Sequence, residues 1–198
     1  MPAADRPERA DAARNRRAIL AATEDLLTRY RPEQISMEQV AAAAGVGKGT
    51  VFHRFGSRAG LMRELMVERA LAMRQDITEG PPPLGPGAPP RERLLAFVDE
   101  ATAIIVRNRS QMAALEHAES TSQQPVDHEA HPVYAFWHAH VAGLLTASRP
   151  GLTDPDAHAH LILAAFQSAT LLHDDSPDAP ARFAAALRRQ ITALLTAA

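Results

Sequence analysis

Apolar residues recur three or four positions apart along almost the whole chain, and this spacing restricts the fold more than any other feature. Alanine is abundant and runs of β-branched residues are scarce, which favours helix over strand. No segment has the alternating pattern of a half-buried strand. The sequence therefore predicts an all-α protein, and its 198 residues, 46% hydrophobic, suffice to form a core.

Several classes of protein are disfavoured by what the chain lacks. No apolar run approaches the ~18 residues of a membrane span, and the N-terminus lacks the apolar centre of a signal peptide. The absence of cysteine excludes disulfides, thiolate metal sites and cysteine nucleophiles, and it suits a reducing compartment. We expect a cytoplasmic protein with no membrane partner.

Several breaks interrupt the helical pattern. The longest of those described next is rich in proline and glycine. Residues 79–90, EGPPPLGPGAPP, have Pro or Gly at nine of twelve positions, which suits a connection between helices and predicts a domain boundary there. The predicted helices cover about 11–30, 36–44, a short segment within 45–55, 57–78, 91–107, 110–119, 132–147, 155–173 and 180–196.

Residues 36–55 have the pattern of two short helices joined by a tight turn. Ser36 begins a capping box, Ser-Met-Glu-Gln, and Gly45 suits the left-handed position that ends a helix. Such a pair, apolar on its inner side, has the outline of a helix-turn-helix. The inner side consists of Val40, Ala41, Ala44, Val46, Val51 and Phe55.

The outer side of the second short helix carries groups suited to DNA. Lys48, Gly49, Thr50 and His53 are the predicted exposed positions, and a helix in the major groove needs donors and small residues there. Gly47 and Gly49 leave the first N–H groups of the helix open to a phosphate. Charge agrees with this assignment, because residues 1–75 hold 13 basic and 9 acidic side chains, whereas residues 76–198 hold 8 and 14.

Three other interpretations of GVGKGTVFHRF remain open at this point. A phosphate-binding P-loop needs a hydroxyl residue after Lys48, but Gly49 stands there and no strand precedes it. A catalytic His53 needs a nucleophile or an orienting carboxylate, and the local spacing suggests neither. The segment could also be an ordinary packed helical hairpin, although its outward cations argue against this.

Residues 14–66, and above all ISMEQVAAAAGVGKGTVFHRFGSRAGLM, resemble the DNA-binding domain of the TetR family of transcriptional regulators. Residues 1–10 carry Pro, Arg and acidic residues without periodicity, which predicts a flexible tail. The resemblance implies a helix-turn-helix domain at 11–57 and a ligand-binding and dimerisation domain at 58–198, with helix 58–78 connecting the two. It also implies that Ser36 caps the second helix and that Lys48, Thr50 and His53 face DNA. Arg58 takes the place of the family's phosphate-binding lysine.

The sequence departs from the family pattern at two positions. Phe52 stands where the family usually has Tyr, so the hydroxyl contact to phosphate is lost or passes to a neighbour such as His53. Gly47 often corresponds to Ser or Thr, so the third helix lacks a side-chain cap, at a cost of only a few tenths of a kcal/mol.

One helix-turn-helix reads only half of a symmetric site, so we expect a homodimer. The resemblance places the interface on the last two helices. Two stripes are the predicted contacts: Ala157, Leu161, Ala165, Ser168 and Leu172 on one helix, and Phe183, Leu187, Ile191 and Leu194 on the other. The alternative is that both stripes pack within one subunit.

Bulky residues between 91 and 173 predict a site for a small apolar or amphipathic effector. The expected ligand-binding residues are Phe97, Met112, His117, Trp137, His138 and Phe166. Eight of the nine histidines follow residue 110 and raise the question of a metal site. However, His138 and His140, like His158 and His160, are two apart on predicted helices and point to different faces, so no metal site is predicted.

The resulting hypothesis is a ligand-responsive repressor that binds a double-stranded DNA operator, with no cofactor and no catalytic residues. Two alternatives differ from it in class. A histidine-rich, metal-dependent enzyme would hold metal stoichiometrically, and a ligand-independent DNA-binding protein would bind any sequence with a steep salt dependence.

Overall fold

The computed structural model describes residues 5–116, 132–167 and 176–196, and their side chains within 11–109, 133–167 and 176–196. These residues form helices and connecting turns with no strand, which confirms the all-α prediction. None of their helices is long and apolar enough to cross a membrane. The helices are α1 (Asp5–Leu27), α2 (Met37–Ala44), α3 (Lys48–Phe55), α4 (Arg58–Glu79), α5 (Pro90–Glu116), α6 (Pro132–Ser148), α7 (Pro155–Ala165) and α8 (Ala179–Thr196), with a 3-10 turn at Pro32–Gln34.

The chain divides into two compact units. One comprises Met1–Glu68 with Ser110–Thr121, and the other comprises Arg69–Arg109 with Ser122–Ala198. The proline-rich segment connects α4 to α5, and its residues 81–89 fall in the second unit.

The first unit has a core made by α1, α2, α3 and the start of α4. The predicted inner residues Val40 and Ala41 of α2 are buried in it, together with Met37, and α1 adds Ile19 and Leu26. Arg16 on α1 donates to Glu68 over 2.7 Å and to Glu64 over 2.8 Å, which fixes α1 against α4. The hydrogen bond to Glu64, followed by that to Glu68, raises the pKa of Arg16.

Several helix ends differ from the sequence prediction. α1 begins at Asp5, so the predicted flexible tail is wrong for residues 5–10, and the helix predicted over 155–173 ends at Ala165. α1 ends at Leu27 rather than near Tyr30, because Thr28–Tyr30 form turns, and Tyr30 is exposed rather than part of the core. The predicted break between 107 and 110 is wrong, since α5 continues through it. Asn108 does not interrupt the helix because its side-chain oxygen accepts a hydrogen bond from Arg69 over 2.8 Å instead of competing for the backbone.

The second unit has its own core, in which α5, α6, α7 and α8 meet. Phe183, Leu187 and Ile191 on α8 are buried in it. The prediction that this stripe forms a dimer interface is therefore wrong, and the alternative of packing within one subunit holds for α8. The stripe on α7 differs, because Leu161 is 67% exposed. Ser168 and Leu172 lie outside the described residues.

Candidate nucleic-acid interface

The turn between α2 and α3 is fixed by the residues that the sequence singled out. Ser36 Oγ accepts from the Gln39 N–H over 3.1 Å, and the Gln39 side chain accepts from the Ser36 N–H over 2.7 Å, so the predicted capping box is present. Gly45 is left-handed with φ 66°, and the Val46 N–H donates to the Ala41 carbonyl over 3.0 Å. These bonds end α2 and direct the chain into α3.

α3 is held by its apolar side and exposes the other. Val51 is fully buried and Phe55 is 7% exposed, whereas Lys48, Gly49, Phe52 and His53 are exposed. Gly47 occupies the N-cap without a side-chain hydrogen bond, as expected. Thr50 was predicted to be exposed, but it is half-buried. The exposed residues of the short helix are therefore Lys48, Gly49, Phe52, His53 and Arg54, and the exposed N-cap Gly47 precedes them.

A residue that the sequence analysis missed sets the distance between α3 and α4. A Cβ atom added at Gly60 would lie 2.0 Å from the carbonyl oxygen of Phe55, the last residue of α3. Ser57 caps α4, its Oγ accepting from the Gly60 N–H over 3.1 Å. Only glycine fits here without movement of the backbone. The sequence feature that could have indicated this is the presence of Gly60, shortly after Gly56, near the start of the helix predicted over 57–78.

Lys48 already has two neighbours in the free protein. Its ammonium group forms an ion pair with Glu38 on α2 and lies 5.5 Å from the centroid of the Phe52 ring. The hydrogen bond from Lys48 is the main reason that the pKa of Glu38 is lowered. Both partners are more than half exposed, so water and salt screen the pair and a DNA phosphate could displace the carboxylate.

Arg58, the predicted phosphate ligand, is the first residue of α4. One Nη1 hydrogen of Arg58 is donated to the Glu33 carbonyl over 3.1 Å, and this bond ties the first turn of α4 to the 3-10 turn. A guanidinium group has five N–H donors in a fixed plane, so one bond to the protein orients it and leaves further donors for a phosphate.

The predicted effector residues are only partly brought together in the second unit. Phe97 is fully buried and its ring meets Trp137 at 5.6 Å and Phe166 at 6.5 Å between centroids. His138 lies apart from this cluster, with Nε2 3.2 Å from the Asp156 carbonyl. The side chain of Met112 and the whole of His117 lie outside the described residues.

The histidines of α6 point to different faces, as the spacing predicted. His140 contacts Phe97 and Phe136, whereas His138 contacts α7. His138 and His160 nevertheless come together from separate helices, with 4.1 Å between ring centroids. Over the parts of the chain that the structure describes, no three His, Asp or Glu side chains converge as metal ligands.

The exposed cationic face, the buried inner side and the tight turn define a helix-turn-helix of a DNA-binding regulator. Comparison with known proteins agrees with this for the first unit. Residues 19–65 match the model of the bacterial regulatory proteins of the TetR family. This segment is therefore similar to the DNA-binding domain of TetR-family transcriptional regulators.

Solved structures match the fold well beyond this domain. A TetR transcriptional regulator from Streptomyces coelicolor has a TM-score of 0.64 and 21% identity, over 92% of this chain and 99% of that one. A TetR-family regulator from Rhodococcus sp. has a TM-score of 0.57 and 20% identity, over 93% and 100%. At these identities the likeness concerns the fold alone. No curated protein sequence matches the chain.

Proposed function

We propose that this protein is a cytoplasmic, homodimeric repressor that binds double-stranded operator DNA through α3 and releases it when a small effector occupies the second unit. The observation that carries the proposal is the exposed face of α3. Lys48, Phe52 and His53 lie there while Val51 and Phe55 fix the helix from behind. A helix anchored in this way can enter the major groove without losing its packing.

In this proposal the ion pair between Lys48 and Glu38 breaks when DNA binds, and Lys48 then contacts a base edge or a phosphate. His53 is exposed on the same helix, and Gly49 allows the helix backbone to approach closely. Ser36, Gly47, Thr50, Phe52 and Arg58 complete the proposed DNA-contacting set. Phosphate contacts fix the register of the protein, whereas the few side chains at base edges give sequence specificity.

The exposed stripe of α7 supports the homodimer. Leu161 is 67% exposed, and the neighbouring small residues Ala157 and Ala165 allow a partner helix to come close. A large aliphatic side chain on a face of small residues is a favourable centre for an interface. Replacement by arginine, Leu161→Arg, is expected to give monomers in sedimentation experiments while leaving the second-unit core intact. An unchanged dimer would exclude α7 as the interface.

The aromatic cluster supports an effector site. The indole N–H of Trp137 is buried and has no hydrogen-bond partner, which makes it a donor for a ligand. Phe97 and Phe166 add apolar surface, and Met112, His117 and His138 stay predicted contacts. An effector releases DNA only if it binds the DNA-incompetent state better.

Footprinting tests the proposal on the DNA upstream of the protein's own gene. We expect protection of a two-fold symmetric site with half-sites about 34–36 Å apart or a multiple of that distance. Lys48→Ala should weaken protection without lowering thermal stability. Sequence-independent coverage would support the alternative of a ligand-independent DNA-binding protein, and stoichiometric metal in the purified protein would support the enzyme alternative.

A further inference from the structure

We propose that a cavity beside His140 binds the carboxylate group of an amphipathic effector, with Arg93 as the residue that recognises its charge. This inference rests on the proposed effector-responsive function, and it specifies the chemistry of the ligand. The cavity is an open cleft at the protein surface with a volume of about 390 Å³, near the lower end of the range of small-molecule sites. Its walls include Ile77, Thr78, Pro86, Arg93, Phe136 and His140.

Arg93 is positioned by the backbone rather than by an acid. Its Nη2 donates to the Ile77 carbonyl over 2.9 Å and its Nε to the Leu84 carbonyl over 3.3 Å. Neither bond uses Nη1. Among the described side chains no carboxylate forms an ion pair with Arg93, so its positive charge at the cavity wall is not neutralised by the described residues. A half-buried guanidinium held in one plane by two carbonyls is a preorganised site for a carboxylate.

His140 adds a second polar group with no partner. Its Nε2 is buried and makes no hydrogen bond. Burial, and then the charge of Arg93, lowers the pKa of His140 to about 4, so the ring is neutral near pH 7 and Arg93 supplies the charge of the site. In the tautomer protonated at Nε2 the ring carries an N–H donor that no described residue uses, and a ligand oxygen reaches it once the side chains around Nε2 move apart.

The remaining walls suit the apolar part of such a ligand. The Phe136 ring stacks on His140 with 6.3 Å between centroids and an interplanar angle of 2°, and the Arg74 guanidinium lies 4.9 Å from the centroid of Phe136. Phe97 contacts both His140 and Trp137, so the cavity adjoins the aromatic cluster. The ligand would therefore place its head at Arg93 and His140 and its apolar chain along Phe136 and Ile77.

Calorimetric titration of the full chain with octanoate and with 1-octanol tests the proposal, because the two probes share a chain length and differ in charge. We expect saturable binding of octanoate, roughly tenfold or more tighter than that of octanol, as charged hydrogen bonds would give. Arg93→Gln should remove this preference while leaving the weak octanol affinity unchanged. Arg91→Gln is the matched control, since Arg91 is exposed on the same helix and does not line this cavity.

Each result decides the matter. Equal affinities for the two probes, no saturable octanoate binding, or full octanoate affinity in a folded Arg93→Gln variant would overturn the proposal. The comparison of probes on the unmodified protein needs no variant, so it holds even if Arg93→Gln does not fold. A footprint of the protein without octanoate separates this result from the proposed function, because it tests operator binding alone.

Discussion

Replacing Gly60 with alanine should destabilise the first unit, although alanine is ordinarily the better helix former. The added Cβ would lie 2.0 Å from the Phe55 carbonyl oxygen, a backbone atom that cannot rotate away. Overpacking of this kind costs about 1–3 kcal/mol, and the gain in helix propensity returns at most about 1 kcal/mol. We therefore expect a net loss of up to about 2 kcal/mol in the free energy of unfolding.

Gly49→Ala is the matched control, because it makes the same chemical change with the opposite expected sign. A Cβ at Gly49 meets no atom within 4 Å and the residue has no positive φ. Alanine should stabilise α3 by about 0.4–1 kcal/mol through the unfolded chain. It should also weaken DNA binding, because its methyl group lies on the face proposed to approach the groove.

Urea unfolding followed by circular dichroism measures both changes. Gly60→Ala should move the midpoint to lower urea and Gly49→Ala to higher urea. If Gly60→Ala were as stable as the parent, the first turn of α4 would be free to shift, and the argument that Gly60 sets the position of α3 would be refuted.

Three further predictions concern other residues. Glu38→Gln removes the carboxylate that holds Lys48 and repels DNA, so affinity for a nonspecific duplex should rise about 3- to 10-fold in anisotropy titrations; unchanged affinity would mean that the pair does not restrain Lys48. Phe52→Tyr supplies the missing hydroxyl and should tighten operator binding about 3- to 10-fold, whereas no gain would show that no phosphate lies within its reach. The pKa of His140 is lowered from its usual 6.5 to about 4, so the unfolded chain takes up the proton first as pH falls. The contribution of neutral His140 to the free energy of unfolding is therefore fully present above pH 6.5, and it declines as the pH falls toward 4. Unfolding at pH 8 and pH 5 should show an additional loss of about 1–2 kcal/mol in the parent relative to His140→Gln, after allowance for the partial exposure of the ring. Equal pH dependence in the two proteins would refute this.

The first unit was predictable because its signals are local. A capping box, a C-terminal glycine and a period of three to four apolar residues fix α2 and α3 within a few bonds, and Ser36, Gly45 and Val51 behave as their types require. Gly60 and the Lys48–Glu38 pair were missed because they depend on the distance between helices, which periodicity does not encode.

The second unit was less predictable because its contacts also depend on how distant helices pack, which periodicity does not encode. The stripe of Phe183, Leu187 and Ile191 marks a buried face, but a sequence does not say whether that face meets its own subunit or a partner. The convergence of His138 with His160, and the cavity shared by Arg93 and His140, likewise arise from helices distant in sequence.

The most direct test of α3 as the DNA-reading helix is a footprint titration of the parent and of Lys48→Ala over a range of salt concentrations. The structure predicts that Lys48→Ala folds as the parent does, binds its operator about tenfold or more weakly, and has a salt slope smaller by about one unit for each subunit. A variant that protects the same site at the same concentration, with the same salt slope, would contradict the assignment.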